Sequence, residues 1–226
     1  MRGLAGAAGA TVALGGLRPL VDLAGAQPTA VDGGGATGAR RGATCVLTPE
    51  ATQGPYYLAD EAIRRDIREG RGGEVLRLVL GVVDATTCEP IEGATVEIWH
   101  ADRQGNYSGF GATTSNHTFL RGGQVTDASG LVRFVTTYPG WYPGRCAHIH
   151  VKVHVGGDAV HTGQLYFPQR VSEQVYAQAR YRHAGNRAAN HQDGIFNGSH
   201  GDQTKLAITR PAGGGYKGTI TMGVQT

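Results

Sequence analysis

Long apolar runs are missing from this 226-residue chain. No stretch reaches the ~18 to 20 residues that a membrane-crossing helix needs, so no such span is expected. Charge of one sign is scarce as well. Lys and Arg total 21 against 18 Asp and Glu, a formal net charge of +3 with the basic residues scattered; that gives no footprint for a nucleic-acid backbone. Cysteine is limited to three residues, too few for a disulfide scaffold. Cys45 opens the folded region and Cys88 sits at a strand-ending turn, so the two are placed for one bridge, which would favour an oxidising compartment and leave Cys146 free. Helical patterning is almost absent: Ser172 to Arg180 is the single good candidate, with Ser172 as its N-cap.

Glycine is what the chain has in excess, at 37 residues. Many of these fall in residues 1–43, a Gly/Ala-rich segment read as a leader or flexible linker and kept out of the fold. Met1-Arg2 followed by a weakly apolar run resembles a secretory leader in outline, which points to export, with a cytoplasmic tail as the alternative. The remaining glycines punctuate short runs rich in β-branched residues. Strands are expected at Val75–Val83, Ala94–His100, Gln124–Thr126, Leu131–Thr137, Ala147–Val155, Gly163–Phe167, Leu206–Thr209 and Thr219–Met222. The third and fourth flank Asp127-Ala-Ser-Gly130 and read as a hairpin. Residues 44–226 are therefore expected to form one all-β domain. It reads as a sandwich of about eight short, mainly antiparallel strands with one short helix and long loops.

Chemistry-bearing residues gather between Tyr138 and His150. From Ala147 to Val155 odd positions are apolar and even positions polar, the period of a strand with one buried face. His148 and His150 thus share a face with Cα atoms roughly 6.5 to 7 Å apart, a spacing from which two imidazoles can converge on one metal ion. His154 shares that face, and alternation alone fits an exposed polar surface equally well. Upstream, the Ala94–His100 strand runs into a polar loop that carries Tyr107 to a sheet rim. Tyr56 and Tyr57 follow Gly54-Pro55 in a loop whose prolines prevent regular structure. Tyr138 and Trp141 read as packing residues, and His100, His117, His161, His183, His191 and His200 as surface or loop residues. A donor set of imidazoles and phenols suits Fe(III), because a phenol ionises at neutral pH only beside a strong Lewis acid.

In order, Glu97-Ile-Trp-His-Ala-Asp-Arg-Gln-Gly-Asn-Tyr107-Ser108, Pro139-Gly-Trp-Tyr142 and Arg145-Cys-Ala-His148-Ile-His150 resemble the signature of the intradiol ring-cleavage dioxygenases. The resemblance covers about residues 45 to 170. It implies a non-haem Fe(III) held by Tyr107, Tyr142, His148 and His150, with Tyr142 displaced when substrate binds. Arg145 would stabilise negative charge on the ring carbon attacked by oxygen, Gln164 would lie near the active site, and Tyr56 and Tyr57 beside the substrate. The implied reaction opens a catechol-type ring between its hydroxylated carbons with O2, giving a cis,cis-muconate-type diacid.

This chain departs from the resembled enzymes in three ways. Cys146 stands where they usually carry Pro, and a free thiol beside a ferric site is open to oxidation. Only five residues separate Tyr142 from His148, where they insert a longer loop. The helical dimerisation segment of the catechol enzymes is also missing, which leaves quaternary structure open, a homodimer included. The rival reading is a non-catalytic transthyretin-like or carbohydrate-binding sandwich without metal. A cupin needs a Glu soon after its His-x-His, and here that span reads Val151-Lys-Val-His-Val155.

Overall fold

In the computed structural model, residues 45–59 and 61–226 are described. The leader or linker expected at residues 1–43 lies outside them. Among the described residues, eight strands form two four-stranded sheets. They are β1 (Val75–Asp84), β2 (Thr95–Trp99), β3 (Arg121–Val125), β4 (Leu131–Thr137), β5 (His148–Val155), β6 (Asp158–Tyr166), β7 (Ala207–Thr209) and β8 (Tyr216–Val224). One sheet runs β4-β1-β8-β7 and the other β3-β2-β5-β6. All pairings are antiparallel except β1 with β8, which is parallel. The expected all-β sandwich is what the chain adopts.

Alternation builds the core between the sheets. Leu76, Leu78, Leu80 and Val82 of β1 face Val96 and Ile98 of β2 and Ile149, Val151 and Val153 of β5, all buried in one cluster. Each such side chain contributes about 1.5–3 kcal/mol when fully removed from water. The longest helix, α1 (Gln169–Tyr176), adds Val171, Val175 and Tyr176 to the same cluster. A second, five-residue helix, α2 (Gly194–Gly198), follows Asp193. Among the described residues no helix is long and apolar enough to cross a membrane.

Four expectations need correction. The segments flanking Asp127 to Gly130 do not pair as a hairpin, because β3 and β4 belong to different sheets. Thr126 ties the end of β3 to the second sheet, accepting from Ala94 N–H at 2.8 Å and donating to Ile91 O at 2.7 Å. Gly130 O accepts from Val82 N–H at 2.8 Å, which commits β4 to the first sheet. The helix also starts earlier than its pattern suggests. Pro168, which fixes φ and has no N–H to satisfy, occupies the N-cap position, and Ser172 is an interior residue whose hydroxyl meets Tyr138 Oη at 2.8 Å. A second helix, α2, lies outside Ser172 to Arg180, the single helix candidate of the sequence. Among the strands, β3, β6 and β8 extend beyond their expected bounds, because Gly122 and Gly123, the polar start of β6 and Gly218 dilute the signal while the ladders run on.

A disulfide joins Cys45 to Cys88 across a sequence separation of 43, and Cys146 is free and buried. Closing a loop of that size stabilises the fold by about 2–4 kcal/mol. It also anchors the segment that continues into Gly54, Tyr56 and Tyr57.

Candidate metal centre

The outer face of β5 is polar yet covered. His148 and His150 are 3% and 1% exposed, although their side chains point away from the apolar core that holds Ile149 and Val151. Two loops roof them over. One leaves β2 and carries Tyr107, the other leaves β4 and carries Tyr142. Gly105, at φ +86° and with no room for a Cβ beside Trp141 O, lets these loops pack against each other. A third segment brings Gly54, at φ +72°, so close that an added Cβ would lie 3.2 Å from His150 Cε1.

Four rings form a closed circuit. Centroid separations are 5.9 Å from Tyr107 to Tyr142, 5.6 Å from Tyr142 to His148, 4.9 Å from His148 to His150 and 6.0 Å from His150 to Tyr107. His148 Nδ1 lies 2.7 Å from Cys146 O. A carbonyl only accepts, so Nδ1 carries the proton and Nε2 presents a lone pair to the circuit. That one lone pair meets two phenols, Tyr107 Oη at 3.3 Å and Tyr142 Oη at 3.2 Å, and can take a hydrogen from one of them. His150 is more exceptional still: neither ring nitrogen has a hydrogen-bond partner. A buried polar group left so costs about 1–3 kcal/mol.

Electrostatics keeps both imidazoles neutral. Burial, aided by the Arg145 guanidinium, lowers the His148 pKa to about 3, and burial with His148 alongside drives His150 well below the usual histidine value. Burial pushes both phenols upward, Tyr107 well above its ordinary value and Tyr142 less so because Arg145 opposes the rise. Neutral imidazoles offering lone pairs and phenols that only a strong Lewis acid would ionise are the donor set of a hard trivalent cation, so the residues fit Fe(III). Among the described residues no group of three or more His, Cys, Asp or Glu is arranged to hold a metal. The tyrosines are therefore indispensable to such a site.

Arg145 is held on three edges. It donates from Nη1 to Tyr142 Oη at 3.2 Å, from Nη2 to Gln164 Oε1 at 2.5 Å and from Nε to Asp193 Oδ2 at 2.9 Å. Gln164, opposite His150 on β6, in turn donates to Thr52 O at 2.9 Å and accepts from Tyr166 Oη at 3.0 Å. Tyr56 stacks on Tyr107 with centroids 4.2 Å apart and meets Tyr142 edge-on at 6.4 Å. Tyr57 is turned elsewhere: its ring packs on Trp99 at 5.0 Å and its hydroxyl donates to Glu97 at 3.0 Å. The structure thus gathers Tyr56, Tyr107, Tyr142, Arg145, His148, His150 and Gln164, and leaves Tyr57 one layer away.

Other assignments are refined. His154 leaves the circuit at a β-bulge after Val153 and pairs with Glu97 at 3.2 Å. His100 and His161, read as surface or loop residues, are buried; His100 uses both nitrogens, on Ala101 O at 2.8 Å and Thr136 Oγ1 at 2.7 Å. Cys146 is 2% exposed and burial raises its thiol pKa, so the reactive thiolate is suppressed. Its N–H, an atom proline lacks, donates to Asp193 at 3.0 Å. Two residues escaped sequence reasoning. Arg121, 1% exposed, joins the aromatic loops by donating to Tyr56 O at 2.6 Å and Ser108 O at 2.7 Å. Asp193 stands before a short helix, and that N-cap signature was the available clue.

The family described as "Dioxygenase" matches residues 52–180, more than half of the chain. The structure is similar to that of an intradiol ring-cleavage dioxygenase from Tetranychus urticae, at 35% identity and a TM-score of 0.77, covering 80% of this chain and 95% of that one. The chain belongs to the intradiol ring-cleavage dioxygenase family. Also similar in structure is the dioxygenase domain of a dioxygenase carbohydrate-binding protein fusion from Streptomyces sp. SirexAA-E, at 29% identity and a TM-score of 0.61, covering 80% of this chain and 99% of that one. The chlorocatechol 1,2-dioxygenase of Rhodococcus opacus is 28% identical over 145 residues, 53% of this chain and 56% of that protein. The chain spans about half the length of the curated dioxygenases that it matches.

Proposed function

We propose that the chain is a non-haem Fe(III) dioxygenase acting on a catechol-type aromatic and O2. It opens the ring between the two hydroxylated carbons to give a cis,cis-muconate-type diacid. The observation that carries this reading is the closed circuit of Tyr107, Tyr142, His148 and His150, in which both nitrogens of His150 lack a protein partner. These four side chains would hold the ion. When bound, the ion supplies Lewis acidity and a template that together activate the substrate toward O2.

The remaining chemistry belongs to the protein. Tyr142 Oη is the proton-handling atom: the Arg145 guanidinium 3.2 Å away steadies it as a phenolate, and it takes up a hydroxyl proton of the incoming catechol. Arg145 then stabilises the negative charge that develops on the ring, an effect of several kcal/mol in a dry site. Gln164 fixes the guanidinium plane. Tyr56 orients the substrate ring as an aromatic wall, and Tyr57 packs on Trp99, whose ring stacks on His150. The Cys45–Cys88 bridge supports work in an oxidising compartment, and so export from the cytoplasm.

The test is oxygen uptake by iron-loaded protein given catechol, with the product analysed. One O2 consumed per catechol, with a ring-opened diacid formed, is expected. No uptake across a panel of catechols would leave a non-catalytic sandwich as the better reading.

A further inference from the structure

We propose that Asp193 is a positioning residue for ring cleavage, holding the Arg145 guanidinium in the orientation that serves the reacting ring. This rests on the dioxygenase reading above. Asp193 lies beyond the residues matched by the family, 52–180, and is fully buried. Its two carboxylate oxygens are divided between two tasks. Oδ1 caps α2, accepting from Ile195 N–H at 2.9 Å and Phe196 N–H at 3.2 Å. Oδ2 faces the site, accepting from Arg145 Nε at 2.9 Å and Cys146 N–H at 3.0 Å. One side chain thereby ties the 190s segment to the turn that delivers both Arg145 and, two residues after Cys146, His148.

The need for such an anchor follows from the other two contacts of Arg145. The contact with Tyr142 is made by the group that, in the reading above, takes up the catechol proton, so its negative charge is gone when the charge on the ring develops. Gln164 then remains as a neutral partner on Nη2. Among the described residues Asp193 is the only charged group bonded to Arg145, and it grips Nε, the base of the planar fork. Holding Nε fixes where both terminal nitrogens point. Two further features keep the anchor rigid: Asp193 is buried, and three backbone N–H groups also donate to it.

Asp193→Asn separates the two tasks. An asparagine oxygen still caps α2, while its amide nitrogen cannot accept from Arg145 or Cys146. With iron-loaded full-length protein and catechol, kcat is expected to fall about 100-fold, the scale of a 1 Å misplacement of a catalytic group. KM should change less than about three-fold, and iron content and thermal midpoint should stay near wild type. In an Arg145→Ala background the same substitution should cost less than about two-fold more, because its effect passes through Arg145. Equal losses in both backgrounds, or an unchanged kcat, would overturn the proposal. Should Asp193→Asn fail to accumulate, Asp193→Ser, whose hydroxyl also caps a helix, takes its place in the same cycle. A crystal structure of the variant reads the proposal without turnover: the guanidinium should shift by about 1 Å or more, and finding it in the wild-type orientation rejects the anchor role. Failure of the parent reading looks different, as a wild-type protein that binds no iron or consumes no O2.

Discussion

Two groups of tyrosines lie wholly or partly buried in this domain, and their hydroxyls are treated in opposite ways. In the core, Tyr138 Oη meets Ser172 Oγ at 2.8 Å, Tyr176 Oη donates to Pro139 O at 3.0 Å, and Tyr181 Oη donates to Tyr138 O at 2.9 Å while accepting from Glu74 N–H at 2.9 Å. Each hydroxyl is satisfied by a fixed partner. Under the loops, Tyr107 and Tyr142 share the single lone pair of His148 Nε2, with Arg145 donating to Tyr142, beside a His150 whose ring nitrogens have no hydrogen-bond partner. Burial does not distinguish the groups, since it raises the phenol pKa in both. The partner does: the core tyrosines have completed their hydrogen bonds, whereas the site has lone pairs left over on His150.

Substitutions should divide along that line. His150→Ala is expected to have the largest effect, with iron binding and ring cleavage lost while the apo protein keeps its fold. Metal analysis after loading, paired with a denaturation curve, checks this; retention of iron would remove His150 from the ligand set. Tyr138→Ala should do the reverse, costing about 3–5 kcal/mol of stability as an aromatic truncation in a packed core. Iron per folded chain should be unchanged, and a variant that folds normally but loses iron would break the comparison.

Milder changes sharpen it. Tyr142→Phe should alter the visible colour and slow turnover with a stability change within about 1 kcal/mol; an unchanged spectrum would contradict a ligand role. Tyr138→Phe should be the quietest, losing about 1 kcal/mol for the hydrogen bond to Ser172 and leaving colour and kcat alone. Urea denaturation and the visible spectrum together read both.

The same contrast explains what could be read from the sequence. Alternation along β5 carries the directions of His148 and His150, because a strand of period two fixes side-chain direction whatever surrounds it. It could not tell that their face is covered, since the cover comes from loops whose paths depend on Gly54, Gly105 and Arg121. Tyr107 and Tyr142 were legible only through their order relative to Arg145 and the histidines. Tyr57 was grouped with Tyr56 through the Gly-Pro-Tyr segment, yet the chain turns at Pro55 and Tyr56, and one ring reached Tyr107 while the other reached Trp99. The β3–β4 turn misled for a related reason. A tight turn fixes that the chain reverses, and the anchors Thr126 and Gly130 decide that the reversal joins two sheets. Asp193 was the hardest to see, because its meaning depends on contact with Arg145, 48 residues earlier.

The most direct test of the account is the visible spectrum of the purified protein before and after loading with Fe(III), with iron counted per chain. Ligation by Tyr107 and Tyr142 predicts one iron per chain and a red-brown protein, because charge transfer from tyrosinate to Fe(III) absorbs visible light. A protein that stays colourless after loading would contradict it.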